Sequence, residues 1–135
     1  MENSVFIDTG AYLARFCRRD AHNQKAIGIW QFLRGENYPL LTTNHVLDEL
    51  ATLLARRTSY AFSAMKLMEI YESATRIERT FKDDELQALN YFRKFADHRI
   101  SYTDCLSFVV MEKLAIHRVF TFDRHFRYAG FEVVS

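Results

Sequence analysis

Four acidic residues occupy positions where the local pattern favours uncharged side chains: Asp8, Glu49, Asp104 and Asp123. Asp8 and Asp123 each follow an apolar run typical of a buried strand, and the other two lie on the apolar sides of helical segments. Because a buried, unpaired carboxylate costs free energy, four of them predict convergence on a positive charge. Oxygen-only ligands suit a hard divalent cation such as Mg²⁺ or Mn²⁺. The pattern therefore indicates metal-assisted phosphate chemistry.

The phase of one helical segment distinguishes two neighbouring acids. At about 100° per residue, Val46, Leu50 and Leu54 share an apolar arc that Glu49 borders. Asp48 falls on the opposite side, toward solvent. We therefore predict that Glu49 is the ligand and that Asp48 is a surface charge.

Some of these acids also have a purely structural interpretation. Asp104 follows Ser101 by three residues, and this spacing resembles a capping box in which the acid serves the helix start. Asp8 could be a turn residue, since aspartate readily bonds its own following backbone. Asp97, in a predicted loop, is either an accessory acid or a turn residue. Capping accounts for an acid early in the helix but not for the apolar neighbours of Asp104.

The histidines and cysteines offer no alternative metal site. Cys17 and Cys105 are too few for a disulfide framework or a zinc site, and we expect both to be small core residues. The five histidines show no metal-ligand spacing and are predicted to be surface or core residues: His22, His45, His98, His117 and His125.

The elements that must position the acids alternate between strands and helices. Strands are predicted at Val5–Ile7, Tyr38–Leu41, Arg76–Thr80, Val119–Phe122 and Phe131–Val134. Helices are predicted at Gly10–Arg18, Asn23–Arg34, from Thr43 or Asn44 to about Arg57, Ser59–Ala74, from Asp83 or Asp84 to about Ala96, and Ser101–Ala115. This alternation predicts an α/β fold with a mainly parallel sheet and helices on its faces. Ligands bind beyond the carboxyl ends of such strands, where Asp8 and Asp123 are expected.

Length and composition predict one folded domain over residues 1–135. The chain is 49% hydrophobic and 15% aromatic, which argues against disorder. It lacks the run of ~20 apolar residues that spans a bilayer. Its start, with Glu2 and Asp8, does not resemble a signal peptide, so we expect a cytoplasmic protein without membrane association.

Basic residues recur close to the acids along the chain. A net charge of +1 is too small to make nucleic acid the default partner. The local clusters nevertheless suit a protein that binds a phosphate backbone. The candidate backbone contacts are Arg15, Arg18, Arg124 and Arg127.

Four blocks of the sequence, in order and in spacing, resemble the PIN-domain ribonucleases, particularly the toxins of bacterial and archaeal toxin–antitoxin pairs. The blocks are VFIDTGAYLA (5–14), TTNHVLDEL (42–50), ISYTDCLSFVVM (100–111) and VFTFDRHF (119–126). Each block is short, but the ordered set is fairly specific and covers nearly the whole chain.

The resemblance implies a PIN-like three-layer α/β/α sandwich around a sheet of four to five strands. It places the family's catalytic, metal-holding acids on Asp8, Glu49, Asp104 and Asp123, and its accessory hydroxyls on Thr9 and Thr121. It further implies Mg²⁺- or Mn²⁺-dependent cleavage of single-stranded RNA, an antitoxin partner and a homodimer.

Three alternatives can be set beside this interpretation. A haloacid-dehalogenase-type phosphatase and a proofreading-type exonuclease both need a second acid two residues after the first, where this chain has Gly10. That glycine argues against both. A catalytically silent module that binds RNA or a partner protein remains open, since only an activity measurement excludes it.

Overall fold

The computed structural model describes residues 3–135, so the first two residues of the predicted domain lie outside the described range. Five strands form one sheet in the order β3-β2-β1-β4-β5, and every neighbouring pair is parallel. The strands are β1 (Val5–Ile7), β2 (Leu40–Thr43), β3 (Arg76–Glu78), β4 (Arg118–Phe120) and β5 (Glu132–Val133). The predicted parallel α/β sheet of four to five strands is confirmed.

Helices connect the strands, as right-handed crossovers between parallel strands require. They are α1 (Thr9–Phe16), α2 (Asn23–Gly35), α3 (Asn44–Arg57), α4 (Tyr60–Glu72), α5 (Lys82–Lys94), α6 (Tyr102–Lys113) and α7 (His125–Tyr128), with a 3₁₀ turn at Ala96–His98. The chain runs outward from β1 through β2 to β3, then returns to the other side of β1 as β4. Crossovers in opposite directions lie on opposite faces of the sheet, and the result is the predicted three-layer sandwich.

The central strand β1 shows why the sheet needs both helical layers. Val5, Phe6 and Ile7 have no solvent exposure, which is typical of a parallel strand covered on both faces. α6 is equally enclosed, since every residue from Asp104 to Met111 is buried. An acid at the start of α6 therefore lies in the interior whatever its helical phase.

One predicted helix cap differs from the structure. Thr43 caps α3, with its hydroxyl accepting from the Val46 N–H at 3.1 Å, as expected. Neither Asp83 nor Asp84 caps α5, which begins at Lys82. The Asp84 carboxylate instead accepts from the N–H of Phe81 at 2.9 Å, reaching back from the first turn.

Several other boundaries also differ. β4 ends at Phe120, two residues earlier than predicted, because the chain then turns to form hydrogen bonds with the neighbouring strand end. α6 ends at Lys113, before Ala115 adopts a left-handed backbone with φ 54°. The four-residue helix α7 was not predicted, since one turn is too short to show periodicity.

The strand order creates a crevice at the carboxyl end of the sheet. β1 pairs with β2 on one side and with β4 on the other, so the connections leaving these strand ends diverge. Ligands bind at such switch points in parallel sheets. No helix in the described part of the chain is long and apolar enough to cross a membrane.

Candidate metal centre

Hydrogen bonds between the ends of β1 and β4 fix the centre of this crevice. Ile7 and Phe120 are partners in the parallel ladder, so Asp8 and Thr121 leave the sheet side by side. The Thr121 hydroxyl donates to Asp8 Oδ2 at 2.7 Å and accepts from the Asp123 N–H at 3.0 Å. One threonine therefore positions two of the four acids.

The second oxygen of Asp8 has a different environment. Asp8 is only 4% exposed, and its Oδ1 is buried without a hydrogen-bond partner among the described residues. The buried hydroxyl oxygen of neighbouring Thr9 also lacks a partner among them. Because leaving a buried acceptor unsatisfied costs free energy, an unpaired carboxylate oxygen suits a site that binds a cation.

Asp104 reaches the same crevice from the start of α6. Ser101 caps the helix, with its hydroxyl accepting from the Asp104 N–H at 3.1 Å. The cap thus uses the backbone of Asp104, while its carboxylate interacts with Asp8, Asp123 and Glu49. The capping interpretation therefore accounts for the serine but not for the acid.

Glu49 approaches from α3, which packs against α1. It is half-buried and faces the crevice, whereas Asp48 is exposed, as the helical phase predicted. The crevice is an open cavity of about 590 Å³. It is lined by Asp8, Thr9, Gly10, Leu13, Glu49, Leu53, Arg99, Ser101, Asp104, Phe122, Asp123, Arg124 and His125.

The carboxylates strongly perturb one another. Burial, together with the charges of Asp123 and Glu49, raises the pKa of Asp8 to about 7, although the hydrogen bond from Thr121 opposes the shift. Burial, together with the charges of Asp8, Asp123 and Glu49, raises the pKa of Asp104 to about 9. Without a cation, Asp104 therefore favours the protonated carboxyl at neutral pH, and Asp8 is about half protonated there.

The donor set fits a hard divalent cation. It consists of carboxylate oxygens, one of them buried and unpaired, in a cluster whose charges repel one another. Ligand atoms of Asp104, Asp123 and His125 also lie within 4.8 Å of one another. Asp8 and Glu49 line the same cavity, so four carboxylates could share one or two ions.

His125 is a site residue that the sequence prediction placed among ordinary surface or core histidines. Its backbone N–H donates to Asp123 Oδ1 at 2.9 Å, and its ring Nδ1 lies 3.0 Å from the same oxygen without the alignment of a hydrogen bond. The spacing Asp-x-His within a turn was the available signal, since aspartate commonly accepts from the N–H two residues on. His125 orients Asp123 toward the crevice.

The accessory residues separate into two groups. Thr9 lines the crevice with the four acids, and Thr121 is buried beside it with its hydroxyl bound to Asp8. Asp97 does not, because it is exposed on the 3₁₀ turn and outside the residues that line the cavity. Arg99, which follows that turn with a left-handed φ of 55°, lines the crevice and was missed by the sequence prediction.

The candidate RNA-binding arginines also separate. Arg124 lines the crevice, and Arg127 lines a cavity that adjoins it. Arg15 lies elsewhere, with its guanidinium carbon 4.7 Å from the Trp30 ring centroid. Arg18 lines another cavity near the end of α1. The structure therefore brings two of the four predicted arginines to the acids.

Comparisons with known proteins show which family the chain resembles. The PIN domain model matches residues 5–132. The chain is 31% identical over 127 residues to the 23S rRNA-specific endonuclease VapC20 of Mycobacterium tuberculosis, covering 94% of this chain and 95% of that protein. It is 30% identical over 127 residues to a VapC ribonuclease of Archaeoglobus fulgidus, covering 91% and 79% respectively.

Two solved structures share the fold. The crystal structure of the M. tuberculosis VapC20, described as a sarcin–ricin loop cleaving toxin, superposes with a TM-score of 0.84 at 32% identity, covering 94% of this chain and 95% of that one. The DNA-bound VapBC of Salmonella typhimurium superposes with a TM-score of 0.67 over 99% of this chain and 98% of that one. At 11% identity, this second likeness shows the fold alone.

The raised pKa values predict how the stability of the metal-free protein depends on pH. The protonated carboxyls of Asp8 and Asp104 stabilise the folded chain fully below pH 3.8, the ordinary pKa of aspartate. This stabilisation is lost as the pH rises through about 7 for Asp8 and about 9 for Asp104. The free energy of unfolding in EDTA should therefore fall between pH 5 and pH 9. The slope should reach about 1.4 kcal/mol per pH unit for each proton that the chain releases when it unfolds.

Urea denaturation across this pH range measures the effect. Asp104→Asn should flatten the decline, while the exposed control Asp48→Asn should follow the wild type. Equal slopes for Asp104→Asn and the wild type would show that the carboxylates do not repel one another as described.

Proposed function

The chain belongs to the PIN domain family, and from that premise we propose that it is a metal-dependent endoribonuclease, a hydrolase that acts as the toxin of a type II toxin–antitoxin system. The observation that carries the proposal is the convergence of Asp8, Glu49, Asp104 and Asp123 on one open cavity. Four carboxylates would repel a phosphodiester unless a cation lay between them. The relatives named as ribonucleases support RNA as the substrate.

The shared cavity supports a proposal for the residues that would hold the metal. Asp8, Glu49 and Asp104 would bind Mg²⁺, or Mn²⁺ in its place, directly or through water. Asp123 would complete the ligand set or hold a second ion. When bound, the metal would neutralise charge on the scissile phosphate and activate the attacking water.

The chain's own side chains then have distinct tasks. Thr121 holds Asp8 in place through Oδ2, while Oδ1 stays unpaired among the described residues. Thr9, whose buried hydroxyl is unpaired among the described residues, would orient water or a phosphate oxygen. Arg124, exposed at the rim, would hold the RNA backbone. The open shape of the cavity suits a polymer that crosses it.

The proposed partners follow from the toxin role. A nuclease of this kind needs an antitoxin that covers the acidic site until the toxin is released, and we propose a cytoplasmic setting for both. A homodimer is the proposed assembly. Its contact would need apolar surface, which α4 offers through exposed Met65, Met68 and Tyr71.

RNA cleavage by paired variants tests the catalytic proposal. Glu49→Gln should lower kcat/KM by on the order of 100-fold or more, because it removes a metal-holding carboxylate. Asp48→Asn should stay close to the wild type, since it removes the same charge from the exposed side of α3. The assay is cleavage of 23S rRNA and of unstructured RNA with excess Mn²⁺. An inactive Asp48→Asn with an active Glu49→Gln would contradict the site.

Growth of a bacterial host tests the toxin role against the alternative of a silent binding module. Expression of the wild-type chain should arrest growth, and Asp8→Ala should relieve the arrest at equal protein level. The reason is that loss of one ligand collapses a weak site for a hard cation, whereas a surface that acts by binding RNA keeps its arginines. Arrest by both proteins would favour the binding module instead.

A further inference from the structure

A small basic cavity adjoins the acidic crevice. Its volume is about 240 Å³, and it shares Phe122, Asp123 and Arg124 with the crevice. The remaining lining comes from the start of α2, from the residue after β4, from α7 and from residues 133–135: His22, Lys25, Thr121, Arg127, Val133, Val134 and Ser135. An RNA strand with one phosphate at the acids would thus have its neighbouring nucleotide within reach of this cavity.

Among the described residues, three lysine and arginine side chains line the cavity, against one acidic side chain that the cavity shares with the crevice. Lys25, Arg124 and Arg127 are exposed, and none of them forms an ion pair with an acidic group among the described residues. By contrast, Arg57, in the other arginine-lined cavity, pairs with Asp20 at 3.0 Å. Three unpaired cations around one cavity indicate an anionic ligand.

An aromatic stack forms one wall of the cavity. The His22 ring lies parallel to Phe122, with centroids 4.4 Å apart and an interplanar angle of 5°. His22 is exposed, while Phe122 is half-buried between the two cavities. A nucleobase of any type can stack on the outer face of such a pair, because every base has a π-face.

The size of the cavity indicates which part of a ligand it holds. At about 240 Å³ it is smaller than the roughly 300–1,000 Å³ of sites that enclose a whole small molecule. It therefore suits a phosphate group with part of its sugar, while the rest of the ligand lies outside.

We propose that this cavity binds the nucleotide next to the cleaved bond: Lys25 and Arg127 hold its phosphate, and the base stacks on His22. The proposal rests on the endoribonuclease function proposed above and adds the site that sets the path of the RNA. Lys25, His22 and Phe122 become substrate-binding residues, although none belongs to the acidic cluster.

Binding of RNA without cleavage tests the phosphate site. The full chain is titrated, in EDTA, with a short fluorescent single-stranded RNA of mixed sequence over a range of salt concentrations. Lys25→Gln/Arg127→Gln should weaken binding by at least about tenfold, as expected when charge-assisted hydrogen bonds are removed. The log–log slope of affinity against salt should decrease by roughly 0.7 for each phosphate that the variant no longer binds. The control is Arg93→Gln/Lys94→Gln, which removes the same charge from exposed positions of α5 and should bind like the wild type.

Further arms of the experiment separate the possible results. His22→Ala should weaken binding severalfold and His22→Phe should restore it, because a flat ring is kept. Inorganic phosphate at equal phosphate concentration should compete poorly. Equal loss of affinity in both double variants would reduce the effect to net charge and overturn the proposal. Complete displacement of the RNA by inorganic phosphate would assign the cavity to free phosphate and overturn it too.

Cleavage kinetics with Mn²⁺ separate this proposal from the proposed function. The Lys25→Gln/Arg127→Gln variant should raise KM with little change in kcat. If the wild type binds RNA but does not cut it, the endoribonuclease function fails while the binding site stands. If the wild type cuts RNA and the double variant binds and cuts equally well, the binding site fails while the function stands.

Discussion

The mutual repulsion of carboxylates in a partly buried crevice is the constraint to which the surrounding structure responds. Burial and neighbouring charges raise the pKa of Asp8 to about 7 and that of Asp104 to about 9. Such a cluster destabilises the folded chain at neutral pH unless a cation compensates it. The core must therefore supply the stability that the site removes, and it includes all of β1 and the part of α6 from Asp104 to Met111.

The fold brings together acids that are far apart in the chain because of its strand order. Asp8 follows β1 and Asp123 comes shortly after β4, and these strands are neighbours although more than a hundred residues separate them. The Thr121 hydroxyl then connects both acids at 2.7 Å and 3.0 Å. Asp104 and Glu49 come from α6 and α3, which contact one another. Sheet topology, capping and helical phase each contribute one part of the site.

Local patterns in the sequence were sufficient to predict much of this arrangement. The phase of α3 distinguished Glu49 from Asp48, and the apolar run before Asp8 located the end of β1. The alternation of strands and helices predicted the parallel sheet. The resemblance to PIN-domain ribonucleases then selected one set of acids, and the structure brings all four of them to one cavity.

Two kinds of feature could not be predicted from the sequence: how far a helix carries a side chain from the site, and which distant side chains meet in the folded structure. Arg15 and Arg18 are close to Asp8 in sequence, but α1 is about 12 Å long and carries them away from the crevice. His22 and Phe122 are a hundred residues apart and stack with an interplanar angle of 5°. His125 meets Asp123 because of a turn that periodicity cannot detect. The cleft that would receive the substrate was therefore less predictable than its acidic centre.

The most direct test of that acidic centre is anomalous diffraction from crystals of the full chain soaked in Mn²⁺. We expect an anomalous peak within ligand distance of Asp8 Oδ1 and of the Asp104 carboxylate, and its disappearance in Asp104→Asn crystals. Wild-type crystals without a peak in the crevice, at Mn²⁺ concentrations that support cleavage, would contradict it.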